Sequence, residues 1–121
     1  MALILVVEDD PANQELVSPF LRREGHMVLQ AMDGAAGVRT AAERNPDLIF
    51  MDLDLPGMDG WEATRRIRAN PETAHIPIVA LTAHMRSEDV LKALEAGIDG
   101  YETKPVVYQR LMKKIATFVK A

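Results

Sequence analysis

The amino-acid sequence predicts a doubly wound α/β sandwich, a parallel sheet with helices on both faces. Three observations carry that prediction. Short apolar runs alternate five times with longer helix-like segments along 121 residues, the pattern of repeated βα units. The first, third and fourth runs are continuously apolar, as suits strands buried on both faces of a parallel sheet. No linker or low-complexity stretch interrupts the alternation, so residues 1–121 are expected to form one domain with a genuine core.

The first strand is expected at Leu3–Val7, where Glu8, Asp9 and Asp10 cut the apolar run short. That run is too short for a signal peptide or a membrane span. Gly25 can end the first helix. Pro19 lies inside it and, by removing one helical N–H, either kinks the helix or displaces its start. The second strand is expected at Met27–Ala31, and Asn45-Pro46 closes the second helix. The third strand is expected at residues 47–51, stopping on Asp52; a Pro56-Gly57 turn follows. Asp59 with Glu62 three residues on resembles a capping box that opens the third helix. The fourth strand is expected at residues 76–81, and Ser87 followed by Glu88 and Asp89 can start the fourth helix, which Gly97 can end. The fifth strand is expected at residues 99–103. Tyr108, Leu111, Ile115 and Phe118 then mark a core-facing helical stripe.

Composition narrows the function. A net charge of −4 argues against a nucleic-acid surface, because phosphate neutralisation needs clustered Lys and Arg. The absence of cysteine excludes disulfides, thiol catalysis and thiolate zinc sites. With aromatics at 5%, the core must be built mainly from Val, Ile, Leu, Ala and Met. A soluble cytoplasmic domain is the expectation. No glycine-rich phosphate loop of P-loop or dinucleotide type is present.

The polar residues at the strand ends carry the chemistry. Strand order does not follow from the pattern, but the flavodoxin-like order 2-1-3-4-5 is one of two common solutions. In that order Glu8 and Asp9 face Asp52. Three crowded carboxylates raise at least one pKa unless a cation intervenes, and hard oxygen ligands suit Mg²⁺. Asp10, just before Pro11, reads as a cap or a solvated loop residue, and Asp59 as a cap. Thr82 ends the fourth strand and Lys104 follows the fifth. Taken singly, such a threonine most often caps a helix and such a lysine is most often solvated. Five polar groups at four strand ends give the functional reading its weight. Lys104 can pair with Asp52 or with a phosphoryl oxygen as a point charge. His26 and His75 lie in connecting loops without ligand spacing, and none of the three histidines is a candidate phosphodonor. Trp61 reads as partly buried packing.

The stretches Ile4-Leu5-Val6-Val7-Glu8-Asp9-Asp10, residues 46–60, Ile76-Pro77-Ile78-Val79-Ala80-Leu81-Thr82-Ala83 and Gly100-Tyr101-Glu102-Thr103-Lys104-Pro105 occur together in one order and spacing. In them the chain resembles a receiver domain of the two-component response-regulator family, a CheY-like module, over essentially its full length. The resemblance implies a phosphoryl group accepted from a histidine kinase or histidine phosphotransfer protein, and a change of shape passed to a downstream protein target. By position, Asp52 would be the phosphoacceptor and Glu8 and Asp9 the acidic pair. Asp9 and Asp52 would bind Mg²⁺ (or Mn²⁺ in its place) directly, with the backbone carbonyl of Asp54, and Glu8 through water. Thr82 resembles the switch hydroxyl, Lys104 the phosphate-binding lysine and Tyr101 the aromatic that follows the switch. Asp54 and His84 occupy positions that tune phosphoryl lifetime. The resemblance also implies a cis peptide at Lys104-Pro105, and signalling through the helix 4, strand 5 and helix 5 surface.

Two other classes compete. Asp52-Leu53-Asp54 mimics the DxD motif of haloacid dehalogenase-type Mg²⁺-dependent phosphohydrolases, but no Asp or Glu follows Lys104, where a second acidic pair would be required. A pseudo-receiver that binds partners without phosphorylation is disfavoured by the intact set Asp9, Asp52, Thr82 and Lys104. A signalling domain rather than a turnover enzyme is therefore expected, with no nucleic-acid or membrane partner. A stand-alone regulator or an intermediate in a phosphorelay is expected; a domain cut from a hybrid kinase is the alternative, although Met1 and the polar Lys120-Ala121 ending suit an independent chain.

Overall fold

Among the described residues, apolar runs and helical stripes resolve into ten elements in strict alternation. They are β1 (Leu3–Val7), α1 (Pro11–Arg23), β2 (Met27–Ala31), α2 (Gly34–Arg44), β3 (Leu48–Asp52), α3 (Gly60–Ala69), β4 (Ile78–Thr82), α4 (Ser87–Ala96), β5 (Gly100–Thr103) and α5 (Tyr108–Phe118). The structure is a computed structural model and describes residues 1–83 and 86–119. All strand pairs are parallel, in the order β2-β1-β3-β4-β5, so the expected order 2-1-3-4-5 holds. No helix among the described residues is long and apolar enough to cross a membrane.

Period-two alternation divides the core between the two faces of the sheet. Ile4, Val6, Leu48 and Phe50 pack with Val17 and Leu21 of α1 and Leu111 and Ile115 of α5. Leu5, Val7, Ile49 and Met51 pack with Ala41 of α2, Ala63 and Ile67 of α3 and Ala93 of α4. β1 and β3 therefore lie in the middle with both faces covered, and their C-terminal ends are neighbours. This is the switch-point geometry in which open α/β sheets place their ligands.

Several boundaries differ from the sequence expectation. β3 begins at Leu48 because Asp47 is used as a brace, its Oδ2 accepting the Leu3 N–H at 2.8 Å. It runs on through Asp52, which stays in register opposite Leu81. β4 begins at Ile78 because Ile76 closes a turn, donating its N–H to the Thr73 carbonyl at 3.1 Å. At its other end β4 includes Thr82, paired with Thr103. Asp99 stays outside β5 because its Oδ2 accepts the Ile78 N–H at 2.8 Å and pairs with the Arg68 guanidinium at 2.7 Å.

The helix punctuation largely follows the sequence. Asp10 caps α1, its Oδ1 accepting the Ala12 N–H at 2.9 Å, with Pro11 in the first turn, where a missing N–H costs nothing. α1 then continues through Pro19, so its start is not displaced; the buried side chains of Val17 and Leu21 anchor both halves against the sheet. Asp59 caps α3 through the Glu62 N–H at 2.9 Å, while the Glu62 carboxylate turns outward to Arg65 and Arg66. Ser87 is the first residue of α4 rather than its cap, and Asp89 Oδ2 accepts the Arg86 N–H at 3.0 Å. Gly97 ends α4 at φ 100°, a left-handed conformation that suits glycine. The Lys104-Pro105 peptide is cis. Tyr108 is not in the core. It is 36% exposed and stacks on Phe20 with ring centroids 4.1 Å apart, while its hydroxyl donates to the Leu16 carbonyl at 2.9 Å. His26 Nδ1 accepts the Ala2 N–H. Trp61 is half-buried against the core, with the Lys92 ammonium 4.8 Å from its ring centroid.

Candidate phosphoryl-accepting site

Four strand ends converge on one acidic cluster. β1 delivers Glu8 and Asp9. The Glu8 N–H donates to the Ala31 carbonyl at the end of β2, at 3.0 Å, which holds the first acid against the sheet edge. β3 delivers Asp52. Glu8 and Asp52 are each only 2% exposed, and Asp9 is the more open of the acids. Carboxylate oxygens of Glu8, Asp9 and Asp52 all lie within 4.8 Å of one another. The three predicted acids are therefore brought together.

Lys104 reaches into this cluster from the end of β5. Its Nζ lies 2.8 Å from Glu8 Oε1 and 3.3 Å from Asp52 Oδ2. The sequence suggested Asp52 as the partner of Lys104; the structure adds Glu8. Asp52 Oδ1 accepts the Asp54 N–H at 2.9 Å, while the Asp54 side chain is exposed and lies outside the cluster of acids. Thr82, 5% exposed, comes in at the end of β4, and its carbonyl accepts the Lys104 N–H at 2.7 Å. That bond docks the Lys104 backbone beside the β4 end. Tyr101 is 42% exposed and borders a groove lined by Val90, Ala93, Leu94 and Ile98. His84 lies outside the described residues.

Electrostatics favour a bound cation. Burial, reinforced by the hydrogen bond and charge of Asp52, pushes the Glu8 carboxyl up to about 7 against the pull of Lys104. Burial disfavours the charged form of Lys104, but its hydrogen bond with Glu8 and the charge of Asp52 outweigh that and raise its pKa. One ammonium cannot balance three carboxylates. Both Glu8 oxygens already have donors, Lys104 Nζ on Oε1 and the Asp10 N–H on Oε2 at 3.3 Å. No hydrogen bond or ion pair among the described residues engages the Asp9 carboxylate. An all-oxygen donor set with excess negative charge and an open member fits a hard divalent ion such as Mg²⁺.

The backbone around the site is tight. Gly60, the first residue of α3, is buried; a Cβ there would collide with the Asp52 carbonyl oxygen and stand 2.8 Å from Leu53 Cα. Neither atom belongs to a side chain that can swing away. Gly60→Ala is expected to destabilise the fold by about 1–3 kcal/mol, read from the urea midpoint; a midpoint at the wild-type value would contradict this account of the Asp52 turn.

Sequence reasoning missed two buried polar residues behind the acids, Gln14 and Ser18. Their signal was present. With Val17 and Leu21 they fall at the i, i+3, i+4, i+7 positions that make the buried face of α1.

Residues 4–116 match the family model described as response regulator receiver domain. Protein PilH of Pseudomonas aeruginosa is 36% identical over 115 residues, spanning 95% of this chain and 95% of PilH. The DNA-binding dual master transcriptional regulator RpaA of Synechocystis is 38% identical over 120 residues, which span 99% of this chain but only 50% of RpaA. Thus the chain spans about half of that relative's length. Among solved structures, chemotaxis protein CheY4 of Vibrio cholerae superposes with a TM-score of 0.94 at 28% identity, covering 98% of this chain and 99% of CheY4. The receiver domain of the sensor histidine kinase PA1611 from Pseudomonas aeruginosa superposes with a TM-score of 0.90 at 38% identity, covering 97% of this chain and 96% of that domain. That structure carries a magnesium ion coordinated in its active-site cleft.

Proposed function

Because the chain belongs to the response regulator receiver domain family of two-component signal transduction, we propose that Asp52 accepts a phosphoryl group from a phosphohistidine. The donor would be a histidine kinase or a histidine phosphotransfer protein, and the reader a downstream protein target, in the cytoplasm. The observation that carries this reading is the Lys104 ammonium set 2.8 Å from Glu8 and 3.3 Å from Asp52.

Asp52 Oδ1 is held by the Asp54 N–H, which leaves Oδ2 as the attacking oxygen. In-line attack on phosphorus forms an acyl phosphate as the P–N bond to the imidazole breaks. Such transfers depend mainly on positioning and charge stabilisation. Lys104, beside Oδ2, neutralises a phosphoryl oxygen as it arrives. Mg²⁺, held by Asp9, Asp52 and the Asp54 carbonyl with Glu8 through water, would supply further neutralising charge. The Thr82 hydroxyl then donates to the product phosphoryl group. Drawing Thr82 inward makes room for the outward-facing Tyr101, which couples the pocket to the α4–β5–α5 surface as a population shift between two packings. Asp54, exposed beside the acceptor, and His84 tune the lifetime of the phosphoryl group. The comparisons lend no support to the phosphohydrolase or pseudo-receiver readings.

Incubation with acetyl phosphate tests this. With Mg²⁺ present, intact-mass spectrometry is expected to show stoichiometric, transient addition of one phosphoryl group. Adding EDTA should abolish it. Equal labelling with and without EDTA would refute the metal's part, and multiple turnover of a phosphomonoester would favour the hydrolase.

A further inference from the structure

Building on that reading, we propose that Gln14 is a positioning residue for the site: its amide clamps the turn that carries Glu8 and Asp9. Gln14 lies in the first turns of α1, only 3% exposed, on the face that packs against the sheet. Its Nε2 donates to the carbonyl oxygens of Val6 at 2.9 Å, Ala31 at 3.3 Å and Glu8 at 3.4 Å. These belong to the end of β1, the end of β2 and the first acid of the cluster. Ser18, one turn on and fully buried, donates its hydroxyl to Gln14 Oε1 at 2.8 Å. With Oε1 so occupied, the NH₂ end of the amide is directed at the carbonyls.

The consequence reaches the acids through the backbone. The Ala31 carbonyl also accepts the Glu8 N–H, so the Glu8 residue is held at its N–H by β2 and at its carbonyl by Gln14. From that fixed point the Glu8 carboxylate extends to Lys104 and to the Asp10 N–H, and the next residue is the open ligand Asp9. A buried amide needing only to be satisfied could use any nearby carbonyl. This one gathers three, from both strands that flank the acidic turn and from the turn itself.

Three variants of the full chain test the proposal. Gln14→Met keeps side-chain length and burial but removes both donors and the acceptor. Ser18→Ala removes only the hydroxyl that orients the amide, and it carries the test if Gln14→Met fails to fold. Leu21→Ala, fully buried on the same helix, controls for general loss of stability. Partners behind metal ligands are typically worth roughly tenfold or more in affinity, so Gln14→Met is expected to weaken Mg²⁺ binding about tenfold by titration calorimetry. Ser18→Ala should weaken it by a smaller factor in the same direction. In Gln14→Met, acetyl phosphate labelling should need correspondingly more Mg²⁺ but reach the wild-type maximum, whereas Leu21→Ala should keep the wild-type affinity. Wild-type Mg²⁺ affinity in both Gln14→Met and Ser18→Ala overturns the proposal alone, as does an equal loss in Leu21→Ala. A wild-type protein that neither binds Mg²⁺ nor becomes labelled overturns the functional reading and this proposal together.

Discussion

Asp52→Asn is expected to abolish phosphoryl labelling while leaving the fold intact. The amide is isosteric with the carboxylate, and its oxygen can still accept the Asp54 N–H that Oδ1 now accepts at 2.9 Å. It lacks the negative oxygen that forms the acyl phosphate, and no neighbour can take that place. Glu8 is already engaged through both oxygens. Asp9 belongs to the same cluster, but among the described residues Lys104 pairs with Glu8 and Asp52 and not with Asp9. Removing one of three crowded carboxylates also relieves repulsion, so the unfolding midpoint should hold or rise. Intact mass after acetyl phosphate treatment and a urea titration read the two effects. Labelling at the wild-type level in the variant would sink the assignment of Asp52.

Lys104→Met is expected to move two properties in opposite directions. The methionine fills most of the same space but carries no charge. Labelling should fall by about 10²–10³-fold, the usual cost of removing one donor that stabilises developing charge. Mg²⁺ binding should tighten, because the ammonium competes with the metal for Glu8 and Asp52. A unit charge about 4 Å away interacts by about 4 kcal/mol at an effective dielectric of about 20. Lys104 is partly open to solvent, at 22% of its side chain, so screening reduces the gain to about 1–2 kcal/mol, near tenfold in affinity. General disruption of the site would weaken both properties. Calorimetric titration alongside labelling rates separates the cases, and weaker Mg²⁺ binding would contradict the pairing of Lys104 with the acids.

The parts of the fold written into local pattern were legible, and those set by distant contacts were not. β1 and β2 begin and end where their sequence runs do; burial on the sheet selects the residues of β1 directly, while β2, an edge strand with only Ala31 buried, follows its register against β1. The ends of β3 and β4 run through Asp52 and Thr82 because each has a partner strand in register, Leu81 for one and Thr103 for the other; periodicity carries no record of that pairing. Tyr108 fits the helical spacing of Leu111 and Ile115, yet it sits at the rim, where its ring reaches Phe20 and its hydroxyl reaches the Leu16 carbonyl.

The site itself was more legible than its supports. Asp9, Asp52, Thr82 and Lys104 stand at strand ends, where chain order alone nominates them. The contact between Lys104 and Glu8 spans 96 residues of sequence and depends on the strand order, which the pattern left open. Gln14 and Ser18 were passed over because polar helix residues normally face water. Only their place on the buried stripe with Val17 and Leu21 marked them as interior.

One carboxylate, that of Asp52, is expected to carry the phosphoryl group. The most direct test is to treat the Mg²⁺-loaded protein with acetyl phosphate, trap the acyl phosphate by borohydride reduction and map the product by peptide mass spectrometry. A single reduced site is expected at Asp52, absent when EDTA is present. Reduction at Asp9, Glu8 or Asp54 instead, or an Asp52 label that forms equally without metal, would contradict it.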